Sequence, residues 1–214
     1  MRYLTPLDAV GLKAYLKDMA IRPIIAVPDP QLKEISAPVD GVTDETRLLM
    51  DDMLETMHAA NGIGLAAIQI GVKQRIIVMD LSPSSPDEGD ADDEGGESGD
   101  RYDLSELADE KPRYFVNPEI TWVSEEMSNY QEGCLSVPGF YDDVARPASC
   151  KVSFLDYHGA AQEIECHGLL ATCIQHEMDH LNGIVFLDHL SRLKRDMILK
   201  KMRKAAKDKL RVAG

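Results

Sequence analysis

His176-Glu177-Met178-Asp179-His180 is the segment whose residue types and spacing point most directly to chemistry. Histidines at i and i+4 share one face of a helix, so both imidazoles can reach a single metal ion. Glu177 follows the first histidine, where its carboxylate can take a proton from a water activated by that metal. With 6 His and 15 Glu in 214 residues, chance supplies such a pattern about 0.01 times. The plain alternative is two satisfied histidines on an amphipathic helix. The metal reading outweighs it, provided that a third ligand exists.

The sequence narrows that ligand. No Glu follows Glu177, which excludes the zinc protease class that takes a downstream Glu. The His-Glu-x-x-His-x-x-Gly-x-x-His pattern fails as well, because Gly183 fits it but position 186 is Phe. Asp188 and His189 remain downstream. Upstream, Glu132-Gly133-Cys134-Leu135-Ser136 lies in a turn-like stretch ending at Pro138-Gly139, which could present the Cys134 thiolate outward. The alternative for Cys134 is a small buried hydrophobe, a common fate of a lone cysteine.

A third segment, Gly62-Ile63-Gly64-Leu65-Ala66-Ala67-Ile68-Gln69, follows a predicted helix and precedes a predicted strand. That order is wrong for a dinucleotide fingerprint, which runs strand then helix. Its small residues would let a substrate or another chain segment approach the backbone closely, and tight packing explains them equally well. Gln69 sits among apolar residues and needs polar partners if buried.

These segments must be positioned by a scaffold. The spacing predicts a helix over 168–181, stopped by Asn182-Gly183, which would carry both histidines. Another helix is expected over 44–60, with Leu49, Met53 and Met57 on one face and Asn61-Gly62 as its stop. Strands are expected over 75–81 and 114–120, and a hairpin over 151–157 and 162–166 around His158-Gly159. Thr5-Pro6-Leu7-Asp8 resembles a capping box that opens a short N-terminal helix. Short strands mixed with a few helices, without regular βαβ alternation, indicate an α+β fold.

Charge divides the chain sharply. Residues 82–111 hold 12 acidic and 2 basic residues, a net of −10 out of −14 for the whole chain. Rich in Ser, Pro and Gly and poor in apolar residues, this stretch reads as an acidic insert that is solvated or disordered, with an acidic interaction loop as the weaker alternative. Residues 192–211 hold ten Lys or Arg and two Asp, a net of +8. Leu193, Met197, Ile198 and Met202 recur there at helical spacing and Ser191 can cap the start, so a basic amphipathic helix is expected over 191–212. Its apolar residues would pack on the core, or its basic face would dock a partner. The overall acidity argues against a generally DNA-binding surface. No apolar run is long enough for a membrane span, and the first residues lack the apolar core of a secretion signal. Four cysteines in 214 residues are too few for a disulfide scaffold, so a reducing cytoplasm is expected, with Cys150 and Cys166 as packing residues of the hairpin.

GIGLAAIQ, EGCLS and QHEMDH, in this order, resemble the three signature motifs of the peptide deformylases. RIIVMD and LLATCIQHEMDHLNGIVF also look like that family, and the resemblance covers roughly residues 27–81 and 112–205. The resemblance implies strands wrapped around a central helix carrying the His-Glu-x-x-His motif. Within a single catalytic domain, residues 1–20 and the insert over 82–111 exceed the compact family pattern. It implies Cys134, His176 and His180 as metal ligands, Glu177 as general base and then proton donor, and Gln69 with the backbone N–H of Leu135 as the oxyanion hole. Gly64 and Glu132 would shape the site, and Ile63, Cys173 and His176 would contribute to the pocket for the substrate methionine. Three protein ligands leave a position open for catalysis, whereas a structural zinc site is normally closed by four. The implied reaction removes the formyl group from N-formyl-methionyl nascent peptides and releases formate. The implied ion is Fe2+, and Zn2+, Ni2+ or Co2+ suit the same ligand types. Some members dock on the ribosome through a C-terminal helix, which the basic tail here resembles. Two positions depart from some members: Tyr141 stands where an Arg contacts the substrate backbone, and Thr172 where an aliphatic residue lines the pocket.

Overall fold

The computed structural model of the chain describes residues 20–82 and 112–212. The expected capping box at Thr5–Asp8 lies outside the described residues, as do the N-terminal extension before Ala20 and the acidic insert beyond Ser82. Helix α1 spans Asp44–Ala59 and is opened by a reciprocal cap. The Thr43 hydroxyl accepts from the Thr46 N–H, and the Thr46 hydroxyl accepts from the Thr43 N–H, each at 3.2 Å. The helix ends where Asn61 takes a left-handed φ of 53°, a conformation that Asn tolerates better than most residues.

Five antiparallel strands follow one another across a sheet in the order β1-β2-β3-β6-β7: β1 Gly64–Ala66, β2 Ile76–Met79, β3 Arg113–Val123, β6 Ser149–Leu155 and β7 Ala161–His167. A second sheet is a hairpin of β4, Met127–Gly133, and β5, Tyr141–Pro147. Helix α2 spans Gly168–Leu181 and α3 spans Arg192–Val212.

Strand alternation explains how the sheet holds both α1 and α2. Successive side chains of a strand point to opposite faces. Ile77 and Met79 of β2 join Phe115, Val152 and the α2 residues Ala171, Ile174 and Met178 in one apolar cluster. Ile76 and Val78, from the opposite face of the same strand, join Met50, Met53 and Met57 of α1. A third cluster, with Val137, Val144, Phe186, Ile198 and Met202, fills the space among the β4–β5 hairpin, the segment after α2, and α3. Most of α2 is therefore buried, and it is the central helix of a mixed α and β fold. Residues deep in such a core each contribute about 1.5–3 kcal/mol through burial.

Three features depart from the sequence expectations. The β4–β5 hairpin was not foreseen, because Met-Ser-Asn-Tyr-Gln-Glu-Gly and Tyr-Asp-Asp-Val-Ala-Arg-Pro are too polar to register as strands. The GIGLAAIQ segment forms the short strand β1 followed by a 3-10 turn over Ala67–Ile70. In α3, Ile198 and Met202 are buried, but Leu193 and Met197 are 81% and 51% exposed, so the helix packs through a narrower face than its apolar spacing implied. No helix among the described residues is long and apolar enough to cross a membrane.

Candidate metal centre

Helix α2 places His176 and His180 one turn apart, with ring centroids 5.0 Å from each other. Cys134 directly follows β4, where the chain turns and the Val137 N–H donates to the Cys134 carbonyl at 2.8 Å. The turn carries the cysteine sulfur to the two rings. Sγ lies 3.2 Å from His180 Nε2, and one donor atom from each of the three residues falls within 4.8 Å of the others. Two N–H groups point at this sulfur, from Ser136 at 3.4 Å and from the Gln69 amide at 3.6 Å. Among the described residues this is the one such metal-capable group, and neither Asp188 nor His189 belongs to it. Asp188 instead accepts from the Lys33 ammonium and the Val185 N–H.

Behind the donors lies a buried ionic chain. Glu132 Oε2 is 2.7 Å from His176 Nδ1. Arg146 clamps Glu132 through Nε and through Nη2 at 3.0 Å, and donates from Nη1 to Asp179 at 2.8 Å. His189 Nε2 closes the chain on the same Asp179 oxygen at 2.7 Å. Burial alone would raise the Glu132 carboxyl, but the hydrogen bonds from His176 and Arg146 outweigh it and hold its pKa at about 2. Burial drives the His180 pKa well below its ordinary value, which favours the neutral imidazole that a metal requires.

Glu177 is buried beside this group, and its Oε2 has no hydrogen-bond partner among the described residues. Burial pushes its carboxyl up to about 7, against the pull of His176. A carboxylate with a pKa near the working pH is suited to moving a proton in both directions. Gly64 makes this arrangement possible: a Cβ there would come within 2.6 Å of Glu177 Oε1 and 3.0 Å of Cys173 Sγ.

A cavity of about 590 Å³ opens onto Glu177 and His176. Ile63, Gly64, Gln69, Glu132, Cys134, Leu135 and Cys173 all line it, so the residues singled out from the sequence converge on one space. His180 is not among the lining residues and is fully buried. Gln69, also buried, accepts from the Ala66 N–H at 2.8 Å and donates to the Ser136 hydroxyl at 3.2 Å. Thr172 is a buried lining residue, while Tyr141 is 66% exposed at the rim with its ring over Gly133.

A family model described as Polypeptide deformylase matches residues 21–196. The chain belongs to this family. A peptide deformylase of Phenylobacterium zucineum is 55% identical over 189 residues, covering 88% of this chain and 99% of that protein. The crystal structure of peptide deformylase from Ehrlichia chaffeensis superposes with a TM-score of 0.75 at 42% identity, over 89% of this chain and 99% of that one. The same enzyme in complex with actinonin gives a TM-score of 0.73 at 42% identity, over 87% and 98%. Deformylases are metal-dependent hydrolases that remove the N-terminal formyl group from nascent polypeptides, and this chain is such an enzyme.

The residues present fit an ion. Three converging N and S donors, a carboxylate orienting the second nitrogen of His176, and an unpartnered carboxylate oxygen at the cavity edge are what an open metal site requires. Sequence reasoning missed Arg146, Asp179 and Ser136. A lone Arg in a polar strand reads as a solvated residue. The available signal was its phase: Arg146 shares the strand face of Val144, and both are buried.

Proposed function

We propose that Cys134, His176 and His180 hold one metal ion and that Glu177, Gln69 and the Leu135 N–H carry the hydrolysis of formyl-methionyl peptides around it. The observation that carries this reading is the convergence of the three donor atoms within 4.8 Å, beside a buried carboxylate whose Oε2 lacks a partner. When bound, the ion supplies Lewis acidity and lowers the pKa of a coordinated water from 15.7 to about 7. Glu177 takes the proton of the attacking water and returns it to the amine as the C–N bond of the formamide breaks. The Ala66 N–H holds the Gln69 carbonyl, which fixes the amide nitrogen beside Cys134 in the cavity lining, where one N–H would turn from the sulfur to the oxygen on which charge develops. Losing one such donor costs about 2.7–4 kcal/mol. Ile63, Gly64 and Cys173 form the wall that receives the methionine side chain, and Glu132 orients His176.

The resident ion is Fe2+, which suits two imidazoles and a thiolate, as Ni2+, Co2+ and Zn2+ also do. The enzyme works in the cytoplasm on chains still emerging from the ribosome, and α3 docks it there through basic residues. Steep salt dependence is expected of such docking, with a slope of about −0.7 to −0.9 per phosphate neutralised. The test pairs metal analysis of anaerobically purified protein with a formate-release assay. Formate from formyl-Met-Ala, one metal per chain and no cleavage of an unformylated peptide support the reading. Cleavage of internal bonds in unformylated peptides would overturn it. Truncation after Arg192 should lower ribosome co-sedimentation and spare turnover on a short peptide; unchanged sedimentation would remove the docking role.

A further inference from the structure

The buried ionic chain behind the metal centre continues past the link that orients His176. Glu132 sits on β4, Arg146 on β5, and His176 and Asp179 on α2. Arg146 donates from Nε and Nη2 to the two Glu132 oxygens and from Nη1 to Asp179 Oδ2 at 2.8 Å. The β4–β5 hairpin, whose first strand leads directly into Cys134, is thereby joined to the helix of the two histidines by two ionic contacts. One is Glu132 to His176, the other Arg146 to Asp179. A single contact leaves two elements free to pivot, and a second fixes their orientation. Gln175 adds a neutral tie where Pro147 pairs with Met127, at the end of the hairpin away from Cys134, by donating to the Pro147 carbonyl at 3.0 Å.

We infer that Asp179 is a positioning residue of the metal centre, acting through Arg146 and Glu132 on His176, and that His189 holds Asp179 in place. The inference rests on His176 as a metal ligand. Charge is its second support. Arg146 is buried, and its positive charge is felt at His180. A guanidinium buried so close to a metal site repels the ion unless carboxylates offset it. Glu132 alone would be neutralised by Arg146. With Asp179 as a second carboxylate, a net negative charge remains on the trio, and Glu132 can still draw on the His176 N–H. Asp179 Oδ2 takes His189 Nε2 at 2.7 Å as well as Arg146. His189 ends the 3-10 turn Phe186–His189 that follows α2. Two donors from different elements on one oxygen fix the carboxylate rotamer. Neither Asp179 nor His189 lines the cavity, so neither touches substrate there.

Asp179→Asn keeps the shape of the side chain and removes its charge. Chelator competition on Co2+-loaded enzyme should give an affinity about 10-fold below wild type, the scale of an outer partner. The visible d–d bands of the bound Co2+ should shift as the His176 ring turns. With metal in excess and formyl-Met-Ala as substrate, kcat should fall while KM holds. His189→Gln should move these readouts in the same direction and less. The double variant Glu132→Gln/Asp179→Asn should lose no more affinity than Glu132→Gln alone, because both residues act through one chain. Gln175→Leu, which breaks the neutral tie without touching the ionic chain, should lower the melting temperature and leave the Co2+ bands in place. Affinity losses that multiply in the double variant would overturn the role, as would wild-type affinity and bands in Asp179→Asn. If Asp179→Asn does not fold, His189→Gln decides by the same readouts, and unmoved values there overturn the role. His176→Ala separates the two levels: full metal affinity in that variant would sink the ligand assignment itself, whereas its loss beside an unmoved Asp179→Asn would sink the positioning role alone.

Discussion

Glu132 Oε2 lies 2.7 Å from His176 Nδ1, and the same carboxylate is clamped by Arg146. The ring of His176 is thereby fixed with its other nitrogen left for a ligand. Outer partners of this kind orient a metal ligand and raise its basicity. Glu132→Gln keeps the side-chain volume but loses the charge. It is expected to weaken metal affinity about 10–100-fold, measured by chelator competition, and to lower the melting temperature because Arg146 keeps only Asp179 as a charged partner. Unchanged affinity would mean that the carboxylate does not support the site.

Glu177→Gln should reduce formate release at least about 10²-fold, the usual scale for a positioned base. Metal content should stay at the wild-type level, because Glu177 is not among the three converging donors. Loss of the metal, or near-normal turnover, would contradict the assignment of the base.

Cys134→Ala should purify without metal, whereas Cys150→Ala and Cys166→Ala should keep it. Cys150 and Cys166 face each other across β6 and β7 inside the apolar cluster, away from the cavity. Their truncation should cost stability alone, seen as a lower denaturation midpoint. Equal metal content in all three variants would remove Cys134 from the site.

Gly64→Ala should depress kcat more than it changes KM. The added methyl would come within 2.6 Å of Glu177 Oε1, a contact that forces the carboxylate to shift. A misplacement of about 1 Å at a reacting group can cost about 10²-fold. Wild-type kcat would show that Glu177 is free to move.

Tyr114 supplies a pH test away from the metal. Burial and the nearby negative charge of Asp51 push its hydroxyl up to about 12 from 10.0. The folded chain then holds this proton more tightly than the unfolded chain. Its contribution to stability is complete below pH 10 and is lost as the pH rises toward 12. Melting temperatures of the enzyme and of Tyr114→Phe should diverge across that window, with the wild type falling faster. Parallel curves would contradict the shift.

Much was legible in the sequence because it depended on local rules. The i and i+4 spacing of His176 and His180, with Asn182-Gly183 behind them, fixed a helix and the side of it that faces a ligand. The apolar run Ile76 to Met79 marked a strand, and the structure buries it on both faces. The order of the GIGLAAIQ, EGCLS and QHEMDH segments pointed to the family, to which the chain indeed belongs.

Tertiary structure decided what depends on elements distant in sequence. Which of Cys134, Asp188 and His189 meets the two imidazoles could not follow from spacing, because a turn after β4 and the path beyond α2 determine it. Arg146 reads as a surface residue in its own strand and is buried only because Glu132 and Asp179 arrive from β4 and α2 to satisfy its guanidinium. Leu193 and Met197 stand in phase with a helix yet face solvent, since periodicity defines a stripe but not what packs against it. Local sequence specified the helices, the apolar strands and the metal-capable residue types, but not the polar β4–β5 hairpin. Convergence of charges and donors separated by 14 to 46 residues required the folded chain, where burial makes an unpaired charge costly and a completed network stable.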